Sequence, residues 1–358
     1  MKSRTHVFVA ISGGVDSSVA AAILLEQGFW VTGIHMQTWH DTAMTIGSQY
    51  RHNLRDRAQH TAKSLSIPFI SLDIQEKFFD QVVKSFIHKY LAGLTPNPCL
   101  FCNPQIKWGV LQSYALDQGA DFFATGHYAR IKHQGIDSAR LFRGKDKAKD
   151  QSYVLSMLSQ DQLRKSLLPL GSLTKDEVRV KAHQMGLASV DEKESQDLCF
   201  LPQGDYRDFL RRFTPEPVQP GEIIDRQGKV MGQHHGLPFY TIGQRKGIRI
   251  AASQPYYVID KDLQNNRLVV GFLDQTIQKE LIAGHPNWIS GESPKVGEEF
   301  AVMVRYRSKP VPAILQLSTP DEFRLKFNQE IRGITPGQVA VLYHQDECLG
   351  GGVIKSAC

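Results

Sequence analysis

From residue 6 to residue 125, short runs of β-branched and aromatic residues alternate with longer stretches whose apolar positions recur at three- and four-residue spacing. The runs at 6–11, 30–36, 68–73 and 121–125 are mostly apolar, as strands covered on both faces are, and they predict strands. The stretches at 17–27, 53–65, 77–91 and 106–118 carry helical spacing, and Gly28, Pro68 and Gly119 punctuate their ends. Strand and helix in alternation call for parallel pairing with crossover helices, so this part of the chain predicts an α/β fold with a doubly wound parallel sheet. Ligands of such sheets lie beyond the carboxyl ends of the strands, where Ser12 to Ser17, Met36 and Gly126-His127 fall.

After Cys199 the pattern changes, and Pro202, Pro215, Pro217 and Pro220 mark a boundary. Residues 221–232 and 256–271 read as hairpins, the second turning at Gln264-Asn265-Asn266. Short strands at 300–306, 311–317, 322–327 and 338–343 follow at near-regular spacing, which predicts a small antiparallel barrel. The expected organisation is therefore an α/β domain at 1–202, a central β-rich domain at 203–275 and a C-terminal antiparallel β-barrel at 276–358. With 358 residues, the chain is long enough to give each its own core.

Lysines and arginines number 42 against 36 acidic residues, a net charge of +6 that suits a polyanionic partner without demanding one. Five cysteines behind a Met1-Lys2-Ser3-Arg4 start that lacks a signal-peptide pattern predict a reducing, cytoplasmic setting. Apolar runs fall well short of the roughly 18 residues a membrane span needs, so no membrane association is expected.

The segment Ser12-Gly13-Gly14-Val15-Asp16-Ser17 directly follows the apolar run Val7-Phe8-Val9-Ala10-Ile11 and directly precedes a helical stretch. Its two glycines let the backbone turn tightly enough to aim successive N–H groups at an anion, and the helix adds its positive N-terminal end. No lysine follows the glycines as in a G-x-x-x-x-G-K-[ST] loop, so cleavage between the β and γ phosphates does not fit. The segment resembles the pyrophosphate loop of the N-type ATP pyrophosphatases, which implies cleavage between the α and β phosphates and an AMP ester on the substrate.

Thr95-Pro96-Asn97-Pro98-Cys99-Leu100-Phe101-Cys102-Asn103 places two cysteines on what reads as a proline-stiffened loop before a helix opening near Ile106. That helix end, with Lys107 in its first turn, is expected to stabilise a thiolate. Cys199 lies almost a hundred residues on, so any cooperation with Cys102 must come from the fold. An adenylating loop combined with paired thiols points to replacement of a carbonyl oxygen by sulfur. AMP makes the oxygen a leaving group, a cysteine persulfide delivers sulfur, and a second thiol breaks the remaining S–S bond. The other readings are a buried structural thiol for Cys199 and half of a zinc site for the C-x-x-C pair, with Cys199 and His127 as the remaining donors.

With these residues in hand, the chain is similar nearly end to end to the bacterial tRNA-specific 2-thiouridylases. The resemblance rests on Ser12-Gly13-Gly14-Val15-Asp16-Ser17-Ser18, Thr95-Pro96-Asn97-Pro98, Cys102-Asn103, Ile106-Lys107, Ala124-Thr125-Gly126-His127-Tyr128 and Lys149-Asp150-Gln151-Ser152-Tyr153. It extends through Cys199-Phe200, Gly243-Gln244-Arg245-Lys246-Gly247, Tyr257-Val258-Ile259-Asp260-Lys261-Asp262 and Thr335-Pro336-Gly337-Gln338. It implies thiolation of the anticodon wobble uridine of tRNA, with Ala10, Ile11, Ser12, Gly13, Gly14, Val15, Asp16, Ser17, Met36 and Gly126 holding ATP. Asp16 would help place Mg²⁺. Asn97, Pro98 and Cys99 would contact the target base, Cys102 would be the nucleophile and Cys199 the persulfide carrier. His127, Lys149, Asp150, Gln151, Arg305, Tyr306 and Gln338 would contact tRNA. The family further implies lysine, glutamate and glutamine isoacceptors, a cysteine desulfurase or sulfur-relay protein as donor, and a monomer.

Two stretches depart from the family pattern. Many relatives carry aspartate where Cys99 stands, so Cys99 is open between a bystander, a base contact and a third thiolate that would make an iron–sulfur cluster with Cys102 and Cys199. Residues 38–57 lack the acidic and cysteine-bearing sequence many members have there, and no role is assigned to them. Two rival readings also stand: an ATP pyrophosphatase that uses ammonia on a small substrate, and an RNA-binding or iron–sulfur module with vestigial nucleotide turnover.

Overall fold

The computed structural model describes residues 4–41, 45–135, 137–187, 198–201, 205–214 and 216–358, with the side chains of 45–52 outside the description. Pro202 and Pro215, two of the prolines at the expected boundary, lie outside the described residues. The chain begins with β1 (His6–Ala10), β2 (Trp30–Gln37), β3 (Phe69–Asp73), β4 (Phe122–Ala124), β5 (Ala129–Gln134), β6 (Ser138–Arg143) and the short β7 (Ser166–Leu167). Strands β3-β2-β1-β4-β7 form one sheet in that order, every pair parallel. Val7, Phe8, Val9, Val31 and Ile34 are buried in it, as strands with helices on both faces must be. The Val15–Glu26 helix is buried along most of its length, and Val19, Ala20 and Ile23 meet Val178 and Ala182 of the Lys175–Gln184 helix.

The expected fourth helix starts earlier than the spacing indicates. It opens at Cys99, with Pro98 as N-cap at φ −64°, and runs through 117 as Cys99–Cys102, a π-helical Asn103–Gln112 and Ser113–Asp117. Proline is favoured at a helix start because its fixed φ suits the first turn, so the prolines that read as a stiff loop lead into a helix instead. The helical run 75–91 also holds a π-helical segment, Phe79–Val83.

Two hairpins form the central sheet, β8 (Gly221–Ile224) with β9 (Val230–His234) and β10 (Tyr257–Asp262) with β11 (Arg267–Gly271), joined by parallel pairing of β8 and β11. The C-terminal part is a closed six-stranded antiparallel barrel of β12 (Ile277–Trp288), β13 (Glu299–Met303), β14 (Val311–Ser318), β15 (Glu322–Arg332), β16 (Val339–His344) and β17 (Glu347–Ala357). Pairing of β12 with both β15 and β17 closes it, and alternate residues Phe323, Leu325 and Phe327 of β15 fill its interior. The β5–β6 hairpin, which the apolar pattern did not reveal, leaves the α/β region and pairs its β6 edge with β17, setting Leu141 against Cys348.

Candidate active site

The loop after β1 is tied by its own serines. Ser12 N donates to Ser17 Oγ at 3.1 Å, and Ser17 Oγ donates to Gly14 O at 3.0 Å. Gly13 takes φ +84°, and a Cβ there would lie 2.4 Å from Leu54 O, so glycine is required on both counts. Gly14, the helix N-cap, places no side-chain bond on the first-turn N–H groups, the arrangement an incoming anion uses. Across the sheet, Gly126 follows β4, and a Cβ on it would stand 2.9 Å from Ser17 N and Asp16 C. The predicted nucleotide residues Ala10 to Ser17, Met36 and Gly126 thus share the carboxyl ends of the adjacent strands β1, β2 and β4.

Asp16 has two partners that sequence reasoning missed. Tyr128 donates its hydroxyl to Oδ1 at 2.7 Å, and Lys175 Nζ reaches Oδ1 at 2.7 Å and Oδ2 at 2.9 Å. The Lys175 side chain is 6% exposed and Asp16 34%, so the pair joins the interior to the mouth of the site. Thr174 and Glu177 form a capping box that fixes this helix start, and Lys175 N donates to Asp146 Oδ2 at 3.0 Å. The T-x-x-E pattern announces the cap, but nothing in it says which way Lys175 points.

The thiol region is built on the helix start at Cys99. Asn97 Oδ1 accepts from Cys99 N at 3.1 Å, and Pro98 O accepts from Cys102 N at 2.8 Å. Cys102 is buried, Cys99 and Cys199 are exposed, and none of the three is in a disulfide. Phe200 anchors the Cys199 segment, its ring centroid 5.3 Å from Phe86 and 5.8 Å from Phe209. Cys199, Lys107 and Cys99 all lie within electrostatic reach of Cys102, so the fold brings together what the sequence holds almost a hundred residues apart. The expected stabilised thiolate is corrected: burial pushes the Cys102 thiol well up, Cys199 adds to this, and the Lys107 charge only opposes it. Loss of hydration around its sulfur raises the Cys99 thiol too, again against Lys107. Among the described residues, no three His, Cys, Asp or Glu side chains are grouped so as to hold a metal ion, which leaves the zinc and iron–sulfur readings without support.

His127 links the two regions. It is buried, its Nε2 lies 3.3 Å from Lys107 Nζ and its Nδ1 lies 2.7 Å from Thr125 Oγ1. An ammonium can only donate, so Nε2 is the acceptor and Nδ1 carries the proton, a neutral imidazole. Burial, then the Lys107 charge, holds its pKa well below the usual histidine range.

Several residues aligned with tRNA contacts also frame the site. Asp150 accepts from Gly144 N at 2.9 Å and from Ser152 N at 3.0 Å, and Gln151 Oε1 accepts from Tyr128 N at 2.9 Å. Gln338 Nε2 donates to Thr95 O at 2.7 Å, tying the barrel to the loop ahead of the thiols. Tyr306 stands with its ring centroid 6.0 Å from that of Tyr153, within electrostatic reach of Asp150 and Cys99. Arg305 beside it is exposed, and Lys149 is half-buried.

Comparison with known proteins agrees with this architecture. Residues 5–203 match the family described as tRNA methyl transferase HUP domain, 207–272 the tRNA methyl transferase PRC-barrel domain and 278–354 the aminomethyltransferase beta-barrel domain. These descriptions name methyl transfer, whereas the full-length relatives are named for thiolation. The tRNA-specific 2-thiouridylase MnmA of Carboxydothermus hydrogenoformans is 44% identical, covering 98% of each chain. The protein of the same name from Natranaerobius thermophilus is 43% identical, over 100% of this chain and 99% of its own. Among solved structures, NMN synthetase from Francisella tularensis matches with a TM-score of 0.35 at 15% identity, over 61% of this chain and 80% of that one, a likeness too slight to add to the argument. With sequence identity of this order over the whole length, the chain belongs to the tRNA-specific 2-thiouridylase family.

Proposed function

We propose that the protein is an ATP-dependent sulfurtransferase that converts the wobble uridine of tRNA to 2-thiouridine. The C2 oxygen attacks the α phosphate of ATP and pyrophosphate leaves. The outer sulfur of a Cys199 persulfide then attacks C2, and AMP leaves with the oxygen. The Cys102 thiolate next attacks the Cys199 sulfur, breaking its bond to the sulfur now on C2. That sulfur keeps the electron pair and becomes the thiocarbonyl, while Cys102 and Cys199 are oxidised to a disulfide that an external thiol must reduce. One observation carries this reading: Cys199 and Lys107 lie within electrostatic reach of Cys102, and His127, which accepts from Lys107, directly follows Gly126 at the nucleotide loop.

Asp16, partly exposed and oriented by Tyr128 and Lys175, suits the Mg²⁺ of the nucleotide, whose charge would offset that of the pyrophosphate. Asn97, Pro98 and Cys99, at the helix start that carries Cys102, would contact the target base. Arg305, Tyr306, Lys149, Asp150, Gln151, His127 and Gln338 form or support the tRNA surface, with the barrel and central sheet gripping backbone and shape. The uridine must leave its stack, which costs least in a single-stranded anticodon loop. We further propose a cytoplasmic monomer divided at 1–202, 203–275 and 276–358, acting on lysine, glutamate and glutamine tRNAs and charged by a cysteine desulfurase or a sulfur-relay protein. Among the described residues no helix is long and apolar enough to cross a membrane.

The test is sulfur incorporation into transcript with ATP and a sulfur source. Cys102→Ser and Cys199→Ser are each expected to abolish 2-thiouridine while leaving ATP binding intact. Unchanged product in either variant would favour the ammonia-using rival, and absence of pyrophosphate from the wild type would end the enzymatic reading.

A further inference from the structure

The segment that leads into the thiol-bearing helix is held by both β-rich parts of the molecule. The helix Lys84–Leu91 is followed by Gly93, whose φ of +74° turns the chain, and Leu94 N closes back on Lys89 O at 2.9 Å. Asn97, Pro98 and the Cys99–Cys102 helix follow shortly after. From the central sheet, Lys261 of β10 donates its ammonium to Gly93 O at 3.0 Å. A lysine is rarely enclosed unless a partner takes its ammonium, and Lys261 is half-buried at this contact. From the barrel, Thr95 N donates to Pro336 O at 2.9 Å and Gln338 Nε2 donates to Thr95 O at 2.7 Å, so both backbone groups of Thr95 are taken. Gly337 lets the two backbones come this close: its φ is +93°, and a Cβ there would lie 2.9 Å from Thr95 N. Gln338 is itself fixed, its N donating to Thr335 O at 3.2 Å and its O accepting from Ile354 N at 2.8 Å. Residues 257–262 and 335–338 thus converge on Gly93 to Thr95, one from the central sheet and the other from the barrel.

We propose that Lys261 and Gln338 are positioning residues for the thiol-bearing helix start, holding Gly93 to Thr95 so that a tRNA seated on the central sheet and barrel meets Cys102 in register. This deepens the sulfur-transfer reading above and rests on it. Gln338 then serves the reaction through Thr95 rather than by gripping RNA.

The experiment uses the full-length protein with two substitutions, each removing one hold. Lys261→Met keeps the reach of the side chain and removes the donor, and Gln338→Glu keeps the shape and sets a carboxylate against Thr95 O. Hydrogen–deuterium exchange, read by mass spectrometry, is expected to speed about tenfold over residues 94–102 in each variant, the contribution of one hydrogen bond, and to stay unchanged over residues 12–26. With tRNA, ATP and a sulfur source, kcat for 2-thiouridine is expected to fall about tenfold at unchanged KM for tRNA, because the RNA still binds while the thiols stand out of register. Pyrophosphate released per 2-thiouridine should rise, since water then attacks C2 of the adenylated uridine and AMP leaves, returning uridine. A merely structural loss of folded protein would lower both products together. Lys261→Arg restores a donor and is expected to bring kcat and the product ratio back toward wild type. Exchange over 94–102 equal to wild type in both variants overturns the proposal, as does a raised KM for tRNA at unchanged kcat, the mark of a plain RNA contact. If Lys261→Met does not fold, Gln338→Glu decides alone. A wild type that makes no 2-thiouridine defeats the sulfur-transfer reading, while the exchange result still decides whether the helix start is held, so the two failures are distinguishable.

Discussion

The nucleotide end and the thiol end of the site are held by different means. At the first, neighbours in sequence do much of the fixing: Ser12, Gly14 and Ser17 bond among themselves, and two distant partners of Asp16, Lys175 and Tyr128, complete the frame. At the second, Cys102 and Cys199 come from segments almost a hundred residues apart, and the Cys199 segment is held by Phe200 packed among Phe78, Phe86 and Phe209. A locally bonded loop keeps its shape when remote packing changes, whereas a packed assembly depends on every wall. The nucleotide end should therefore fail only when struck directly, and the thiol end should respond to changes at a distance.

The largest effect expected at the nucleotide end is that of Gly126→Val. The new side chain begins with a Cβ 2.9 Å from Ser17 N and Asp16 C, backbone atoms that cannot swing aside. Displacing the loop by even an ångström is expected to cost about 100-fold in pyrophosphate release. Cys102 alkylation, read on the same sample, should change little. A parallel loss of thiol reactivity would show that the two ends are one mechanical unit and would break the contrast.

Lys175→Met sharpens the same contrast with a smaller change. It leaves the Asp16 carboxylate with the Tyr128 hydroxyl as its remaining described hydrogen bond. Removing one partner of a fully buried pair costs about 3–5 kcal/mol, but Asp16 is 34% exposed, so we expect about 1–2 kcal/mol by denaturant unfolding. An unneutralised carboxylate beside the phosphates should weaken ATP binding about tenfold at low Mg²⁺. Calorimetric titration should then find affinity recovering as Mg²⁺ rises, and an affinity equal to wild type at low Mg²⁺ would remove Lys175 from the nucleotide frame.

The same division explains what could be read without coordinates. β1, β2 and β4 were legible because strands buried on both faces need near-continuous apolar residues, and the phosphate loop because Gly13 answers to a local backbone demand. The β5–β6 hairpin was not: His133, Gln134 and Arg140 are exposed, and its outer partner, β17, lies about 200 residues later in the chain. The direction of Lys175 was equally hidden, since it is set by packing between segments that no local pattern relates.

Histidine titration offers the gentlest probe, because each end has its own buried imidazole. His35 pairs its Nδ1 with Ile11 O at 2.8 Å under the nucleotide loop, and His127 sits at the junction with the thiols. Burial lowers both pKa values, His127's further. The unfolded chain then takes up protons that the folded one refuses, so this stabilisation is fully present above the unfolded value of about 6.5 and is lost as pH falls below it. Denaturant unfolding should lose up to about 1.4 kcal/mol per pH unit for each such histidine between pH 6.5 and its folded pKa. His127→Gln should flatten that slope over a wider range than His35→Gln, because the folded pKa of His127 lies lower. Equal flattening by both variants would mean that the junction is no more deeply enclosed than the loop, and would erase the asymmetry between the two ends.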